Sequence, residues 1–201
     1  TRETPGWFWK FMYGISETLG DKPEYFDPFL FQADLIRLRQ FYLDQGFFQS
    51  RIDTSIQVFP EKKEGRLTFR IHEGQRSYID TLSYRGFENL PSILLEDIHG
   101  NPLLHEKDPY VVQNVENELR RIVGAFVNHG YVRVRIDTVI ARRYASTNNV
   151  AVHFAFVPNE RYRFGEIQVD QDTTVAEKVD PAVVLRHLDF VQGDFYGEGK
   201  K

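Results

Sequence analysis

Two stretches decide how this chain is read: DLIRLRQFYLDQGFFQSRIDT at residues 34–54 and ELRRIVGAFVNHGYVRVRIDT at residues 118–138. Both end in RIDT, at Arg51–Thr54 and Arg135–Thr138, 84 residues apart from Arg51 to Arg135. The match continues upstream. Leu35 lies over Leu119, Arg37 over Arg121, Tyr42 over Phe126, Gly46 over Gly130, and aromatic Phe47 over aromatic Tyr131. Agreement at positions that shape a fold marks an internal repeat.

Each part of the repeat has a physical reading. Asp27-Pro28 and Asp108-Pro109 read as a helix N-cap followed by proline at the first helical position. Apolar residues then recur at helical spacing, at Leu35, Leu38 and Phe41/Tyr42, and at Val112, Val115, Leu119, Ile122 and Phe126. Gly46 and Gly130 stand where a left-handed residue ends a helix. Alternation follows: Ile52, Thr54, Ile56 and Val58 in one copy, Val134, Ile136, Thr138 and Ile140 in the other, each set expected on one face of a strand. The runs PEKKEG and ARRYASTNN read as turns. A second alternating strand comes after each, through Leu67, Phe69 and Ile71, and through Val150, Val152, Phe154 and Phe156.

Reading outward adds short strands at 78–84 and 164–169, and helices beginning at Pro91 and Pro181. The full unit is strand, helix, helix, strand, strand. It is complete in residues 76–159. Residues 1–75 carry a copy whose opening strand is missing or atypical, with WFWKFMYGISETLG as its first helix. Residues 160–201 begin a further, truncated copy, where Asp194-Phe195-Tyr196 echoes Asp108-Pro109-Tyr110. The expectation is a piece cut from a longer tandem array.

Composition narrows the function. Hydrophobic residues at 41% and aromatics at 14% suffice for packed cores. A net charge of −4 argues against electrostatic capture of nucleic acid. The absence of cysteine excludes disulfide and thiol chemistry, and no apolar run approaches the roughly 20 residues of a membrane-spanning helix. The six histidines show no metal-ligand spacing, no nucleophile-elbow or phosphate-loop pattern occurs, and no carboxylates pair across elements. No catalytic, cofactor or metal residue is expected. The aromatic run at Trp7, Phe8, Trp9, Phe11, Met12 and Tyr13 reads as a helix packed on its own domain, with a membrane-interface or partner patch as the alternative.

The element order, with Leu35, Leu38, Tyr42, Gly46, Phe47, Glu73-Gly74, Ile79 and Gly86, resembles the POTRA (polypeptide-transport-associated) domain. The likeness is to the tandem arrays of outer-membrane β-barrel assembly factors of the BamA/TamA type. The second copy repeats Leu119, Phe126, Gly130 and Tyr131, but has Pro158-Asn159 in place of Glu73-Gly74. The resemblance implies an α+β fold of tandem β-α-α-β-β domains, each a three-stranded mixed sheet covered by two helices. It further implies a periplasmic position at the bacterial outer membrane, a β-barrel C-terminal to Lys201 and a signal peptide before Thr1. The implied partners are unfolded outer-membrane proteins or accessory lipoproteins, with no enzymatic activity and no cofactor. Two neighbouring tasks share the fold: a two-partner secretion transporter, and a cell-division protein, which would carry a single copy. A nucleic-acid-binding α/β module is the reading from another class. The acidic balance, the lack of a GxxG loop and the lack of paired aromatics on a strand count against it.

In the POTRA fold the strand after the second helix is an edge, and here that strand contains RIDT. An open edge carries unpaired N–H and C=O groups and accepts another chain as an added strand. The residues expected to face outward, and so to form the partner-binding edges, are Arg51, Asp53, Ser55 and Gln57, and Arg133, Arg135, Asp137 and Val139. Ile52 and Ile136 are expected to hold the core. The plainer reading is a solvated strand face whose charges prevent pairing.

Overall fold

The computed structural model describes residues 27–62, 64–170 and 180–197. The aromatic run at 7–13 and the helix assigned to 7–20 lie outside the described residues. The chain divides into two compact units, Thr1–Arg39 and Gln40–Lys201.

Helix α1 (Pro28–Asp44) starts as its first residues dictate. The Asp27 carboxylate accepts from the N–H of Phe29 at 2.8 Å and of Leu30 at 3.4 Å, so it satisfies main-chain donors that the helix leaves free. Its end is equally local. The N–H of Gly46 bonds Leu43 O and the N–H of Phe47 bonds Tyr42 O, a Schellman closure with Gly46 at φ +83°. The Phe47 ring meets that of Tyr42 edge-on at 5.9 Å.

The chain then forms an antiparallel hairpin of β1 (Arg51–Phe59) and β2 (Glu64–His72), joined by a short 3-10 turn at Pro60–Lys62. Nine consecutive pairs run without a bulge, from Arg51↔His72 to Phe59↔Glu64. Cross-strand partners share a face, so Ile52, Thr54, Ile56 and Val58 lie with Ile71, Phe69, Leu67 and Gly65. Ile52 is buried, whereas Ile56 and Val58 farther along the hairpin are exposed.

The next elements are β3 (Ile79–Arg85), α2 (Ser92–Gly100), α3 (Val112–Asn128), β4 (Arg135–Arg143) and β5 (Val150–Val157). They form a three-stranded mixed sheet in the order β3-β5-β4. The outer strand β3 runs parallel to the central β5, and β4 runs antiparallel to it. This is the β-α-α-β-β unit in full. Val150, Val152, Phe154 and Phe156 of β5 turn one buried face toward Leu94 and Ile98 of α2 and Ile122 and Phe126 of α3. Helix α3 repeats the Schellman closure of α1. Gly130 N bonds Val127 O, Tyr131 N bonds Phe126 O, and the Phe126 and Tyr131 rings meet edge-on at 5.8 Å.

A buried ion pair ties the helices together. The Glu118 side chain is fully buried and bonds Arg121 at 2.8 and 2.9 Å, while Glu118 also accepts from Leu103 N at 2.9 Å. Arg121 reaches across to Ile98 O of α2 at 2.7 Å. The hydrogen bond to Glu118 raises the Arg121 pKa further and keeps it cationic. Nearby Tyr84 is pushed up to about 12, chiefly by burial and then by the Glu118 charge.

Three local expectations are corrected. Asp108-Pro109 does not cap a helix: α3 begins at Val112 behind an extended Val111, with no side-chain cap. The reason is that Ile79 N and Tyr78 already engage Asp108 and Pro109 as a short main-chain ladder. Residues 164–169 form no strand: among the described residues the main-chain pairing stops at the bridge Arg163↔Phe195 and the bonds of Phe164 to Asp194 and Gly193. The run Ala141–Arg143, read as turn, extends β4. By contrast, the helix expected at Pro181 forms as α4 (Pro181–Arg186), capped by Asp180 accepting from Ala182 N at 2.8 Å.

Replacing Arg121 with Met leaves a buried carboxylate without its counter-ion, and urea unfolding should show a loss of about 3–5 kcal/mol. The double variant Glu118→Leu/Arg121→Met should recover a large part of that loss, because the uncompensated charge is gone.

Candidate partner-binding site

The sheet has two outer strands, and they differ. The outer side of β3 is closed at its start. Ile79 N bonds Asp108 O at 2.9 Å, Lys107 N bonds Ile79 O at 2.7 Å, and Tyr78 forms a bridge with Pro109. Leu82 N is taken by the Glu106 carboxylate at 3.3 Å. On the far side of the sheet, no strand pairs with β4 other than β5 among the described residues. Likewise, among the described residues, β1 pairs only with β2. Both RIDT strands therefore present a main-chain edge.

The two edges are built differently. Arg51, Asp53, Ser55 and Gln57 are exposed and share one face of β1, opposite His72, Arg70, Thr68 and Arg66. In β4 the ladder shifts between Ile136 and Thr138, leaving Asp137 as a bulge residue without a partner of its own. An extra residue inverts the alternation beyond it. Val139 pairs with Phe154, whose side chain is on the helix-covered face. Thr138 and Ile140 pair with Ala155 and His153 on the opposite face.

Five residues therefore depart from the sequence reading. Val139 faces the helix side. Thr138 and Ile140 do not. Ile136 shares the helix-side face with Phe156 but is 49% exposed rather than core. Arg133 precedes the strand and lies in the turn after α3. Arg135 is the first residue of β4 and is exposed. The uninterrupted part of this edge is Thr138–Arg143. Its length was hidden because Ala141-Arg142-Arg143 resembles a turn, although nine-residue β1 in the first copy offered the signal.

At the start of each edge the surface opens into a groove. One, of about 820 Å³, is lined by Gln49, Ser50, Arg51, Asp53, His72 and Gly74, with Phe48 at its margin. The other, of about 650 Å³, is lined by Arg133, Val134, Arg135, Asn159, Glu160 and Tyr162. They occupy equivalent places in the repeat. Gly74 sits at φ +74° and Asn159 at φ +60°, so the Asn that replaces Gly keeps the left-handed turn, which asparagine tolerates. Asn159 Nδ2 also donates to Arg133 O at 2.7 Å, tying together two residues that line the groove. Arg133 lies over the Tyr162 ring at 5.4 Å. Near the first groove, burial and then the charge of Glu73, which also hydrogen-bonds it, raise the Tyr42 phenol above its usual 10. Among the described residues no group of three acidic, histidine or cysteine side chains is placed to hold a metal ion.

Among the described residues, an open strand edge thus stands at the same place in two copies. Residues 11–74 match the POTRA family. That family is described as a surface antigen variable number repeat. A Treponema pallidum (strain Nichols) protein provisionally named an outer membrane protein assembly factor is 24% identical over 165 residues, or 77% of this chain. The chain spans only 19% of that relative's length. Among solved structures, the Haemophilus influenzae BamA POTRA3-5 crystal structure is similar with TM-score 0.48 and 17% identity, covering 84% of this chain and 64% of that one. The N-terminal domain of Omp85 from Thermosynechococcus elongatus is similar with TM-score 0.40 and 13% identity, covering 99% and 77% respectively.

The Asp137 bulge interrupts an edge that would otherwise run the length of β4, a common way to blunt strand-to-strand association. Deleting Asp137 leaves the pairs on both sides in register. Sedimentation velocity should then show increased self-association of a still-folded chain.

Proposed function

We propose that this chain is the POTRA-bearing segment of an outer-membrane protein assembly factor, and that its open strand edges bind extended polypeptides by adding them to the sheet. The observation that carries this reading is the contrast between the outer strands: β3 is closed at its start by residues 107–109, while the outer side of β4 has no strand partner among the described residues. The POTRA match and the Treponema pallidum relative support the assembly-factor assignment. The domain division that goes with it is 1–75, 76–159 and 160–201.

Main-chain pairing is nearly indifferent to side chains, which suits a receptor for many extended clients. Side chains modulate it. Val139 and Ala141 border the helix side of an added strand, while Ile140 and Arg142 border the open side. Clients with alternating apolar and polar residues, such as unfolded outer-membrane β-strands, fit that pattern. Accessory lipoproteins are the second partner class in this reading. The chain works in the periplasm, hands clients to a β-barrel of the same protein, and acts by binding rather than by catalysis.

Successive residues of a strand point their N–H groups to opposite sides, so of Val139 and Ile140 one donates to β5 and the other faces the open edge. Proline at the outward-facing position should leave the fold intact and reduce photo-crosslinking of an extended outer-membrane peptide to β4. Undiminished crosslinking in the folded proline variant would contradict strand addition at this edge.

A further inference from the structure

The junction between consecutive copies is built twice with the same hydrogen bonds. At the first, Ser77 N donates to Gly46 O at 2.9 Å and Tyr110 N to Ser77 O at 3.0 Å. At the second, Tyr162 N donates to Gly130 O at 2.8 Å and Tyr196 N to Tyr162 O at 3.0 Å. The ladder continues in step. Ile79 N to Asp108 O and Lys107 N to Ile79 O have their counterparts in Phe164 N to Asp194 O and Gly193 N to Phe164 O, all between 2.7 and 2.9 Å. Even the side-chain bond that shapes the inserted loop recurs: Asp108 accepts from His105 N at 2.9 Å, and Asp194 from Val191 N at 3.1 Å.

An arginine covers each junction at the same distance. Arg76 lies 5.5 Å from the Phe47 ring, and Arg161 lies 5.5 Å from the Tyr131 ring. The two glycines are required from both sides. Each has φ near +90°, and each is approached by the following copy. A Cβ at Gly46 would stand 2.6 Å from Tyr110 O, and one at Gly130 would stand 3.0 Å from Tyr162 O. The helix-ending glycine therefore serves as the receptor of a joint, and the linker with the loop before the next second helix serves as the insert.

We propose that this repeated clasp is a rigid head-to-tail interaction surface, whose fitting partner is the next copy of the same repeat, and that it holds consecutive sheets in one fixed orientation. A flexible connection would leave the carbonyls of Gly46 and Gly130 to water rather than to the next copy. Here three separate segments close on one another around each glycine, and for the sheets to swing the main-chain bond that crosses the joint, Ser77 N to Gly46 O or Tyr162 N to Gly130 O, has to open together with the close contact at the glycine and the arginine cover. The proposal stands apart from what the edges bind, since it concerns only how one sheet is set against the next.

Because the chain has no cysteine, paired nitroxide labels at Gln57→Cys of β1 and Arg142→Cys of β4 report the distance across the first joint by double electron–electron resonance. The clasp predicts one narrow distance distribution in the otherwise unaltered chain. Gly46→Val, which collides with Tyr110 O, should broaden or split it. Arg76→Ala, which removes only the cover over Phe47, should broaden it to a lesser degree, and it carries the test if Gly46→Val does not fold by circular dichroism. Ser77→Ala keeps the clasp's N–H and removes a buried hydroxyl that has no partner, so its distribution should stay narrow. A broad distribution in the unaltered chain would overturn the proposal. So would a width unchanged in every folded clasp variant.

Discussion

A β-strand carries hydrogen-bonding groups on two sides, and the account of this molecule depends on where those groups find partners. In the three-stranded sheet, β5 is paired on both sides by strands. One neighbour, β3, has its remaining side engaged at Ile79 by Asp108 and Lys107 and at Leu82 by the Glu106 carboxylate. The other, β4, has none from a further strand among the described residues. Buried main-chain groups are almost always satisfied, so an exposed row of them is tolerable only in water or under another chain. Position in the sheet, rather than any reactive side chain, makes β4 the candidate site.

Much of the fold was legible because its determinants are local. Gly46 and Gly130 predict helix ends, and both form Schellman closures with the aromatic residue that follows. Alternation from Val150 to Phe156 predicts a strand buried on one face, and β5 is that strand. What escaped the sequence depends on partners distant along the chain. Asp108-Pro109 carries the same letters as the capping pair Asp27-Pro28, yet Ile79 and Tyr78 recruit it into a ladder. The Asp137 bulge arises because β4 has one more residue than β5 over the same span, and no local signal in RIDT distinguishes Asp137 from Asp53. One inserted residue moved Val139, Thr138 and Ile140 to faces opposite to those that alternation assigns.

The two copies also show how one pattern tolerates different chemistry where geometry is kept. Asn159 replaces Gly74 and retains the left-handed turn, adding a side-chain bond to Arg133 O. Lys107 takes the left-handed position that Gly193 holds in the next copy. Tyr131 replaces Phe47 under an arginine at an unchanged distance. Main-chain requirements are constant across the repeat, while the edges differ: β1 is regular along nine pairs, and β4 is broken by its bulge. The copies thus have equivalent frames and different edges.

The central claim is that β4 accepts an added strand. Residue-resolved amide hydrogen exchange, read by NMR on the folded chain with and without an extended peptide of alternating apolar and polar residues, tests it most directly. The account predicts that peptide slows exchange at alternate amides within Thr138–Arg143, those facing away from β5, while amides of β5 are unchanged. Slowed exchange confined to α2, α3 or β3, with β4 exchanging as in the free chain, would contradict it.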